Sequence, residues 1–283
     1  MSVTLDAPVF TVEPLSPVLG AAISGLDLRR PLSEATKRAV YGAFVQYHVL
    51  CFRAQQLDDE QQIAFTAQFG ELERHMASNK GTRNPLLHIV SNLDTDGNPT
   101  GKLASTGWHS DKSFRSKPSL ATILHAQTMP PEGGETCFAD MIAAYEALPA
   151  AGRAELDGVK VVHSWKISRA RMGIVATPEE LADAPPMVHP LVRVIPETGR
   201  KALFMGEHAA YFDGQPEDEG HRRLLALTAH AVEERFVYRH KWRQGDMLMW
   251  DNRCLLHRAN PNFDAKRYPR VLHRTCLRGH APA

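Results

Sequence analysis

The sequence contains only four cysteines among its 283 residues, and none of them belongs to a Cys-x-x-Cys pair. They stand singly, in apolar contexts such as VLCF and NRCLL, at Cys51, Cys137, Cys254 and Cys276. Isolated cysteines in apolar segments are typical of buried free thiols, whereas paired spacings indicate disulfides or zinc. We therefore expect reduced cysteines and a cytoplasmic location.

Two further features are missing, a charge imbalance and a long apolar run. The 33 basic and 32 acidic residues leave a formal net charge of +1, with the two signs interspersed. This balance argues against a nucleic-acid partner, which requires a basic face. The chain also lacks the roughly 18 consecutive apolar residues of a membrane span, and its start, MSVTLDAPVFTVEPL, has no secretion signal. The sequence predicts a soluble, unexported protein that binds neither nucleic acid nor membrane.

No internal repeat, low-complexity segment or linker divides the chain, so residues 1–283 are predicted to form a single domain. The first third contains two helical patterns. SEATKRAVYGAFVQYH has apolar residues at helical spacing behind a cap at Ser33, and LDDEQQIAFTAQFG opens with a capping-box pattern at Asp58 and Gln61. The strand-like run VLCFR lies between them, so two helices are expected to flank a strand.

Beyond residue 85 the pattern changes to many short strand-like runs, such as SLATILHAQTM, DMLMWD and RVLHRTCL, separated by turn signals such as PPEGGET. Two helical patterns interrupt them, MIAAYEALPAAGRAEL and EGHRRLLALTAHAVEERF. This arrangement predicts a mainly β fold with flanking helices, as a jelly roll or a barrel. Residues 165–187 give the weakest structural signal, and we expect a mobile insertion near the functional site there.

The short run TGWHSDKSF places His109 and Asp111 two positions apart. On a strand their side chains would project from the same face while Ser110 points away. With a second histidine from elsewhere they would form the two-histidine, one-carboxylate triad that binds non-haem Fe(II). The motif alone equally fits a solvated strand end or a simple His–Asp hydrogen bond.

A second segment near the C-terminus, WDNRCLLHR followed by RVLHR, supplies further candidates. His257 lies in a strand-like run that a barrel could bring back beside His109. Arg270 and Arg274 share one face of a strand, with Cα atoms about 13 Å apart. Two inward guanidinium groups are costly unless each meets an anion, so this spacing indicates two anion contacts.

Taken in order, WHSD, GGET, WDNRCLLHR and RVLHR resemble the Fe(II)- and 2-oxoglutarate-dependent dioxygenases of the taurine dioxygenase family, which includes the 2,4-dichlorophenoxyacetate dioxygenases. The resemblance extends from VLGAAISGLDL to TCLRG. It implies a double-stranded β-helix, a form of jelly roll. It also implies that His109, Asp111 and His257 are the catalytic iron ligands, which leave coordination positions for 2-oxoglutarate and O2.

The same resemblance implies roles for four more residues. Arg270 and Thr136 correspond to the pair that binds the far carboxylate of 2-oxoglutarate, and Arg274 to the arginine that holds the anionic group of the substrate. His75 falls where the taurine enzyme has a histidine that contacts the sulfonate. A planar guanidinium and a hydroxyl suit carboxylate binding, which agrees with the first pair. His189, His208 and His273 are interpreted as structural.

The implied reaction is hydroxylation of a small anionic organic substrate, with release of succinate and CO2 and possible cleavage of a C–O or C–S bond. WDNRCLLHR and YRHKWRQGD favour an aryloxyalkanoate. GKLAST lacks the polar groups that hold the amine of taurine, although taurine, an alkylsulfonate or an alkyl sulfate stays an alternative. A zinc hydrolase with the same three ligands and a non-catalytic jelly-roll binding protein also fit the three metal-ligating residues. Family members are commonly oligomeric, so a homo-oligomer is expected.

Overall fold

The computed structural model describes residues 10–74 and 84–282. His75 lies outside the described residues, so the prediction of its role stays a prediction. Across the described residues, no helix has both the length and the apolar character that crossing a bilayer requires.

Most of the regular structure is β-sheet. The strands, in chain order, are β1 (Thr11–Pro14), β2 (Ala21–Ser24), β3 (Val49–Phe52), β4 (His88–Ser91), β5 (Ser119–Thr128), β6 (Thr136–Asp140), β7 (Lys160–His163), β8 (Met187–Pro190), β9 (Val192–Val194), β10 (Lys201–Leu203), β11 (Ala209–Phe212), β12 (Val237–His240), β13 (Met247–Asp251), β14 (Leu255–Ala259) and β15 (Val271–Arg278). The prediction of a sheet-dominated fold with flanking helices is confirmed.

Seven α-helices and one short 3-10 helix accompany the strands in the described part of the chain. They are α1 (Glu34–Tyr47), α2 (Asp59–Ala67), α3 (Met141–Glu146), α4 (Ala150–Leu156), α5 (Trp165–Arg171), α6 (Pro178–Asp183) and α7 (Glu217–Ala231), with the 3-10 helix at Glu234–Phe236. The side chain of Ser33 caps α1, and Asp58 and Gln61 form the capping box of α2. Both predicted helix starts are therefore confirmed.

The largest sheet has seven strands in the order β1-β2-β3-β13-β5-β15-β4. Strands β2 and β3 pair in parallel, and the other described pairings of this sheet are antiparallel. A second sheet has the order β12-β6-β14, and a third has the order β11-β7-β8. Strands β9 and β10 form a separate two-stranded ribbon.

Strand β13 shows how the large sheet is buried on both faces. Met247 and Met249 pack with Phe44 of α1 and Phe65 of α2 in one apolar cluster. Leu248 and Trp250 belong to a second cluster, which also contains buried residues of β6 and β14 from the second sheet. Successive side chains of a strand point to opposite faces, so one face of the large sheet packs on helices and the other on the second sheet. The functional site lies between these two sheets.

Two details differ from the sequence-based expectation. The pattern MIAAYEALPAAGRAEL forms two helices, α3 and α4, because Pro149 has no backbone N–H and its ring disfavours a helical residue before it. Residues 165–187, which gave the weakest structural signal, contain α5 and α6, and the predicted mobility of this segment stays a prediction. Both helices have side-chain caps, from Ser164 and from the Thr177–Glu180 capping box, and Arg115 forms an ion pair with Asp183.

Candidate active site

His109 and His257 face each other across a β-bridge. The N–H of His109 donates to the carbonyl of His257 at 3.0 Å, and the N–H of His257 donates to the carbonyl of His109 at 2.8 Å. Residues paired in this way present their side chains side by side on one face, and the two imidazole centroids are 4.2 Å apart. These two reciprocal hydrogen bonds join residues that are 148 positions apart in the sequence.

The run TGWHSDKSF is not a strand, and this part of the sequence-based interpretation is wrong. Only His109 has a β-bridge, and a turn begins at Asp111 and continues through Lys112, whose φ is 52°. Asn252 holds the turn instead. Its side-chain oxygen accepts the N–H of Asp111 at 3.3 Å, and its carbonyl accepts the hydroxyl of Ser110 at 2.7 Å. The carboxylate therefore reaches the histidines through a tethered turn.

His109, Asp111 and His257 each offer a ligand atom within 4.8 Å of the others, and all three are buried. Nε2 of His257 lies 3.6 Å from Oδ2 of Asp111, and Nε2 of His109 lies 3.8 Å from Oδ1. Nδ1 of His109 donates to the carbonyl of Gly107 at 2.9 Å, because a carbonyl can only accept. The lone pair of His109 is therefore on Nε2, the atom nearest the carboxylate. Two neutral imidazoles and one carboxylate fit an Fe(II) ion.

Sequence reasoning missed the side chains that orient Asp111. Thr122 on β5 donates its hydroxyl to Oδ2 of Asp111 at 2.5 Å. Asn252 in turn donates to the hydroxyl oxygen of Thr122 at 2.9 Å and accepts from Nε1 of Trp250 at 3.1 Å. The sequence feature that could have pointed to Asn252 is WDN, at the start of the quoted WDNRCLLHR run. This network fixes the carboxylate before any ligand binds.

Electrostatics keep Asp111 and His257 in the protonation states that metal binding requires. Burial alone would raise the pKa of Asp111, but the charges around it, chiefly those of His257 and Arg274, lower that pKa below its ordinary value. Burial first and the charge of His109 second lower the pKa of His257 to about 3. At neutral pH the carboxylate is ionised and His257 is neutral, which are the forms that bind a metal.

Arg270 lies directly before β15 and is only 2% exposed. Its Nε donates to the carbonyl of Gly134 at 2.9 Å, and its Nη2 donates to the hydroxyl of Thr136 at 3.2 Å. The structure thus brings together the predicted pair Arg270 and Thr136. Gly134 has φ +68°, and a Cβ there would lie 2.9 Å from Cγ of Pro130, so the turn of GGET requires glycine.

Burial lowers the pKa of Arg270 to about 10, and the charge of Glu135 offsets only part of this effect. Within residues 10–74 and 84–282, the hydrogen bonds of its guanidinium go to the carbonyl of Gly134 and the hydroxyl of Thr136, and neither acceptor is a carboxylate. A buried guanidinium without an anion is costly. This position fits an incoming carboxylate, such as the far carboxylate of 2-oxoglutarate.

Arg274 follows on β15, on the same side of the sheet as Asp111. Its Nη1 lies 3.4 Å from Oδ1 of Asp111, and its Nε is buried without a hydrogen-bond partner in the part of the chain that the structure describes. Arg270 and Arg274 both line one cavity together with His109, Asp111 and His257. The two predicted arginines therefore face the same space as the predicted ligands.

A wider cavity shares His109, Asp111 and Arg274 with this space. The rings of Phe114, Trp165 and His208 also line it. Phe114 lies 4.8 Å from Trp165 and 4.9 Å from His208, measured between ring centroids. The sequence-based interpretation of His208 is structural, but this residue lines the wall beside His109, at a centroid distance of 6.3 Å. We call Phe114, Trp165 and His208 the aromatic wall.

The two remaining histidines interpreted as structural make hydrogen bonds away from the His-Asp-His cluster. Nε2 of His189 donates to the carbonyl of Arg115 at 2.9 Å, and Nδ1 of His273 contacts Oδ1 of Asp59 at 2.7 Å. Two more groups of buried residues could hold a metal by distance alone, His48 with Asp251 and Cys254, and Cys51 with His240 and Asp246. The carboxylates of both groups are already paired with arginines, Asp251 with Arg253 and Asp246 with Arg53.

A sheet-dominated fold with a His-Asp-His cluster beside a buried arginine defines an Fe(II)- and 2-oxoglutarate-dependent dioxygenase, which uses O2 as its second co-substrate. Comparison with known proteins identifies the family. The chain belongs to the family described as "Taurine catabolism dioxygenase TauD, TfdA family", whose model matches residues 11–276. The resemblance drawn from the sequence motifs is confirmed.

Curated relatives share much of the sequence. The α-ketoglutarate-dependent 2,4-dichlorophenoxyacetate dioxygenase of Cupriavidus pinatubonensis is 39% identical over 259 residues, which cover 87% of this chain and 90% of that protein. The (S)-phenoxypropionate/α-ketoglutarate-dioxygenase of Sphingobium herbicidovorans is 35% identical over 263 residues, which cover 90% of this chain and 91% of that protein. The crystal structure of AAD-2 in complex with Mn(II) and N-oxalylglycine matches with a TM-score of 0.86 and 37% identity, covering 96% of this chain and 99% of that one.

Proposed function

We propose that this dioxygenase acts on aryloxyalkanoates, small acids in which an aromatic ring is joined through oxygen to a carboxylate-bearing carbon. The observation that carries the proposal is the shared cavity. The aromatic wall, the guanidinium of Arg274, and His109 and Asp111 of the His-Asp-His cluster all line it. An apolar ring and an anionic group are the two features that such a wall and such a cation recognise. The similarity to aryloxyalkanoate dioxygenases supports the same substrate class.

In this proposal His109, Asp111 and His257 hold Fe(II) through Nε2, a carboxylate oxygen and Nε2. Arg270 and Thr136 hold the far carboxylate of 2-oxoglutarate, because Arg270 has N–H donors left after its contacts to Gly134 and Thr136. When bound, the iron and the keto acid reduce O2, so that decarboxylation to succinate and CO2 drives insertion of one oxygen atom into a C–H bond of the substrate.

The side chains of this protein then decide which C–H bond reacts. Arg274 would hold the carboxylate of the substrate beside Asp111, and the aromatic wall would hold the ring away from the ligands. The carbon between the ether oxygen and the carboxylate would consequently lie nearest the metal. Hydroxylation of that carbon gives a hemiacetal, which breaks its C–O bond to release a phenol and a 2-oxo acid. For phenoxyacetate the products are phenol and glyoxylate.

Two finer structural conclusions are also part of the proposal. The face-to-face arrangement of the seven-stranded sheet and the β12-β6-β14 sheet supports a double-stranded β-helix. The shared apolar cluster supports a single domain over residues 1–283. The cytoplasmic location, the homo-oligomer, the contact of His75 with the substrate and the absence of nucleic-acid and membrane partners stay predictions.

A screen of product formation tests the proposed substrate. The protein, Fe(II), ascorbate and 2-oxoglutarate are incubated in air with phenoxyacetate, phenoxypropionate, taurine, an alkylsulfonate or an alkyl sulfate, and succinate and phenol are quantified. We expect phenol and succinate in equal amounts with the aryloxy acids. Succinate formation driven only by a sulfonate or sulfate would overturn the aryloxyalkanoate proposal. Replacement of Fe(II) by Zn²⁺ should abolish turnover, whereas a hydrolase would retain it.

A further inference from the structure

Arg169 on α5 lines the same cavity as His109 and Asp111, yet no role in the proposed reaction uses it. Its guanidinium carbon lies over the ring of Trp165, 5.0 Å from the centroid. Stacking occupies the face of a guanidinium and leaves its N–H donors free in the plane of the group. Arg169 therefore presents hydrogen-bond donors at the edge of the aromatic wall.

No acidic side chain in residues 10–74 and 84–282 neutralises the charge of Arg169. No carboxylate in the described ranges lies within 4.0 Å of its guanidinium, and its Nε is buried without a hydrogen-bond partner. Arg171, two residues further along α5, differs in both respects, because it donates to the carbonyl of Ala210 at 3.0 Å and lies 3.6 Å from Glu217. Burying a hydrogen-bond donor without a partner costs free energy. An acceptor on a bound ligand would remove this cost at Arg169.

The two glutamates in the same wall do not supply that partner. Glu180 accepts the N–H of Thr177 at 3.0 Å in the capping box of α6. Glu207 lies against the backbone at Gly107, where a Cβ on that glycine would clash with its carboxylate. Neither forms an ion pair with Arg169.

Arg169 and Arg274 lie at different parts of the cavity. Arg274 is 3.4 Å from Asp111, beside the cluster. A series of contacts connects His109 to Arg169 through the rings of His208 and Trp165. The centroid of His208 is 6.3 Å from that of His109, and the centroid of Trp165 is 5.6 Å from that of His208. A ring held by the aromatic wall would then have Arg274 on the side of the ligand cluster and Arg169 beside Trp165.

We propose that Arg169 is a specificity-determining residue that binds a hydrogen-bond acceptor, preferably an anionic one, on the substrate's ring at the end remote from its carboxylate. This inference rests on the proposed function and narrows the substrate class to aryloxyalkanoates with a polar group opposite the ether oxygen. A carboxylate at that position would form a charge-assisted pair with the donors that have no partner in the protein.

Steady-state kinetics with two substrates test this assignment. The substrates are phenoxyacetate and (4-carboxyphenoxy)acetate, which differ only in the distal carboxylate, and phenol release is measured for the unchanged protein and for Arg169→Met. We expect the unchanged protein to prefer (4-carboxyphenoxy)acetate. We expect Arg169→Met to lower kcat/KM for that substrate about 10- to 100-fold through KM, which equals about 1.4 to 2.8 kcal/mol at 1.4 kcal/mol per tenfold. Phenoxyacetate should change by less than about threefold.

Two further variants separate recognition from stability. Arg169→Lys keeps a cation and should restore part of the preference for the distal carboxylate. Arg171→Met removes a cation from the same helix and should leave the ratio of the two kcat/KM values unchanged. Because both substrates are measured on one preparation, a loss of folded protein lowers both values together and leaves their ratio intact.

Three outcomes would overturn the assignment. The unchanged protein could show no preference for (4-carboxyphenoxy)acetate, Arg169→Met could leave the ratio of kcat/KM values intact, or it could raise KM equally for both substrates. The last result would mean that Arg169 holds the carboxylate common to both. Each of these outcomes leaves phenol release by the unchanged protein, so the proposed function survives them. Absence of phenol release from both substrates would instead refute the proposed function itself.

Discussion

Replacing Arg270 by methionine should remove the affinity for 2-oxoglutarate and spare the binding of substrate. Arg270 has five N–H donors, and two of them contact Gly134 and Thr136, which leaves three for a carboxylate in a site that is 2% exposed. A hydrogen bond to a charged group contributes about 1.5 to 3 kcal/mol. The loss of two such hydrogen bonds, partly offset by water, should weaken binding by about 3 to 4 kcal/mol. At 1.4 kcal/mol per tenfold, this equals a roughly 100- to 1000-fold increase in the Kd for 2-oxoglutarate.

The assay is an anaerobic titration of the Fe(II)-loaded protein with 2-oxoglutarate, followed by the visible absorbance of the iron-bound keto acid and by calorimetry. Arg274→Met is the matched control, because it removes the second guanidinium of the same cavity. We expect the control to keep the Kd for 2-oxoglutarate within about threefold and to raise KM for the aryloxy acid. If Arg274→Met lost 2-oxoglutarate binding while Arg270→Met kept it, the two assignments would have to be exchanged. Thermal unfolding of both variants checks that each is folded.

Three further predictions concern the ligand cluster and the buried histidines. Asp111→Ala should abolish turnover and weaken Fe(II) binding, measured by titration of metal under argon, and full activity of this variant would remove Asp111 from the ligand set. Thr122→Val deletes the 2.5 Å hydrogen bond to Asp111 and should lower Fe(II) affinity about 10- to 100-fold; an unchanged affinity would show that Asn252 alone fixes the turn. Burial, with the charges of His189 and His208, holds the pKa of His163 well below its ordinary value. Below about pH 6.5 the unfolded chain therefore binds a proton that the folded state does not, and stability should fall with decreasing pH by up to about 1.4 kcal/mol per pH unit for this group. His163→Phe should make this fall shallower in urea unfolding at pH 7 and pH 5, and an equal slope in both proteins would contradict the role of His163.

The helices and strands that the sequence predicted correctly depend on signals within a few residues of one another. The Ser33 cap and the Asp58–Gln61 capping box act within one helical turn, so the starts of α1 and α2 could be placed. The run DMLMWD predicts a strand, and β13 (Met247–Asp251) forms within this run. The strand predicted for TGWHSDKSF is wrong, because the structure of this run depends on Asn252, which lies 141 residues later in the chain. Periodicity over a few residues carries no information about such a contact.

The amino-acid sequence by itself determined the chemistry of this protein, since the ordered motifs around His109, Asp111 and His257 indicated the family that the comparisons then identified. Only the tertiary structure decided how those side chains meet. The β-bridge between His109 and His257, the hydrogen bond from Thr122 to Asp111 and the aromatic wall all join segments far apart in the chain. The physical reason is that the sequence specifies the chemical type of each side chain directly. The distances between remote side chains are set only when the two sheets pack on a shared core.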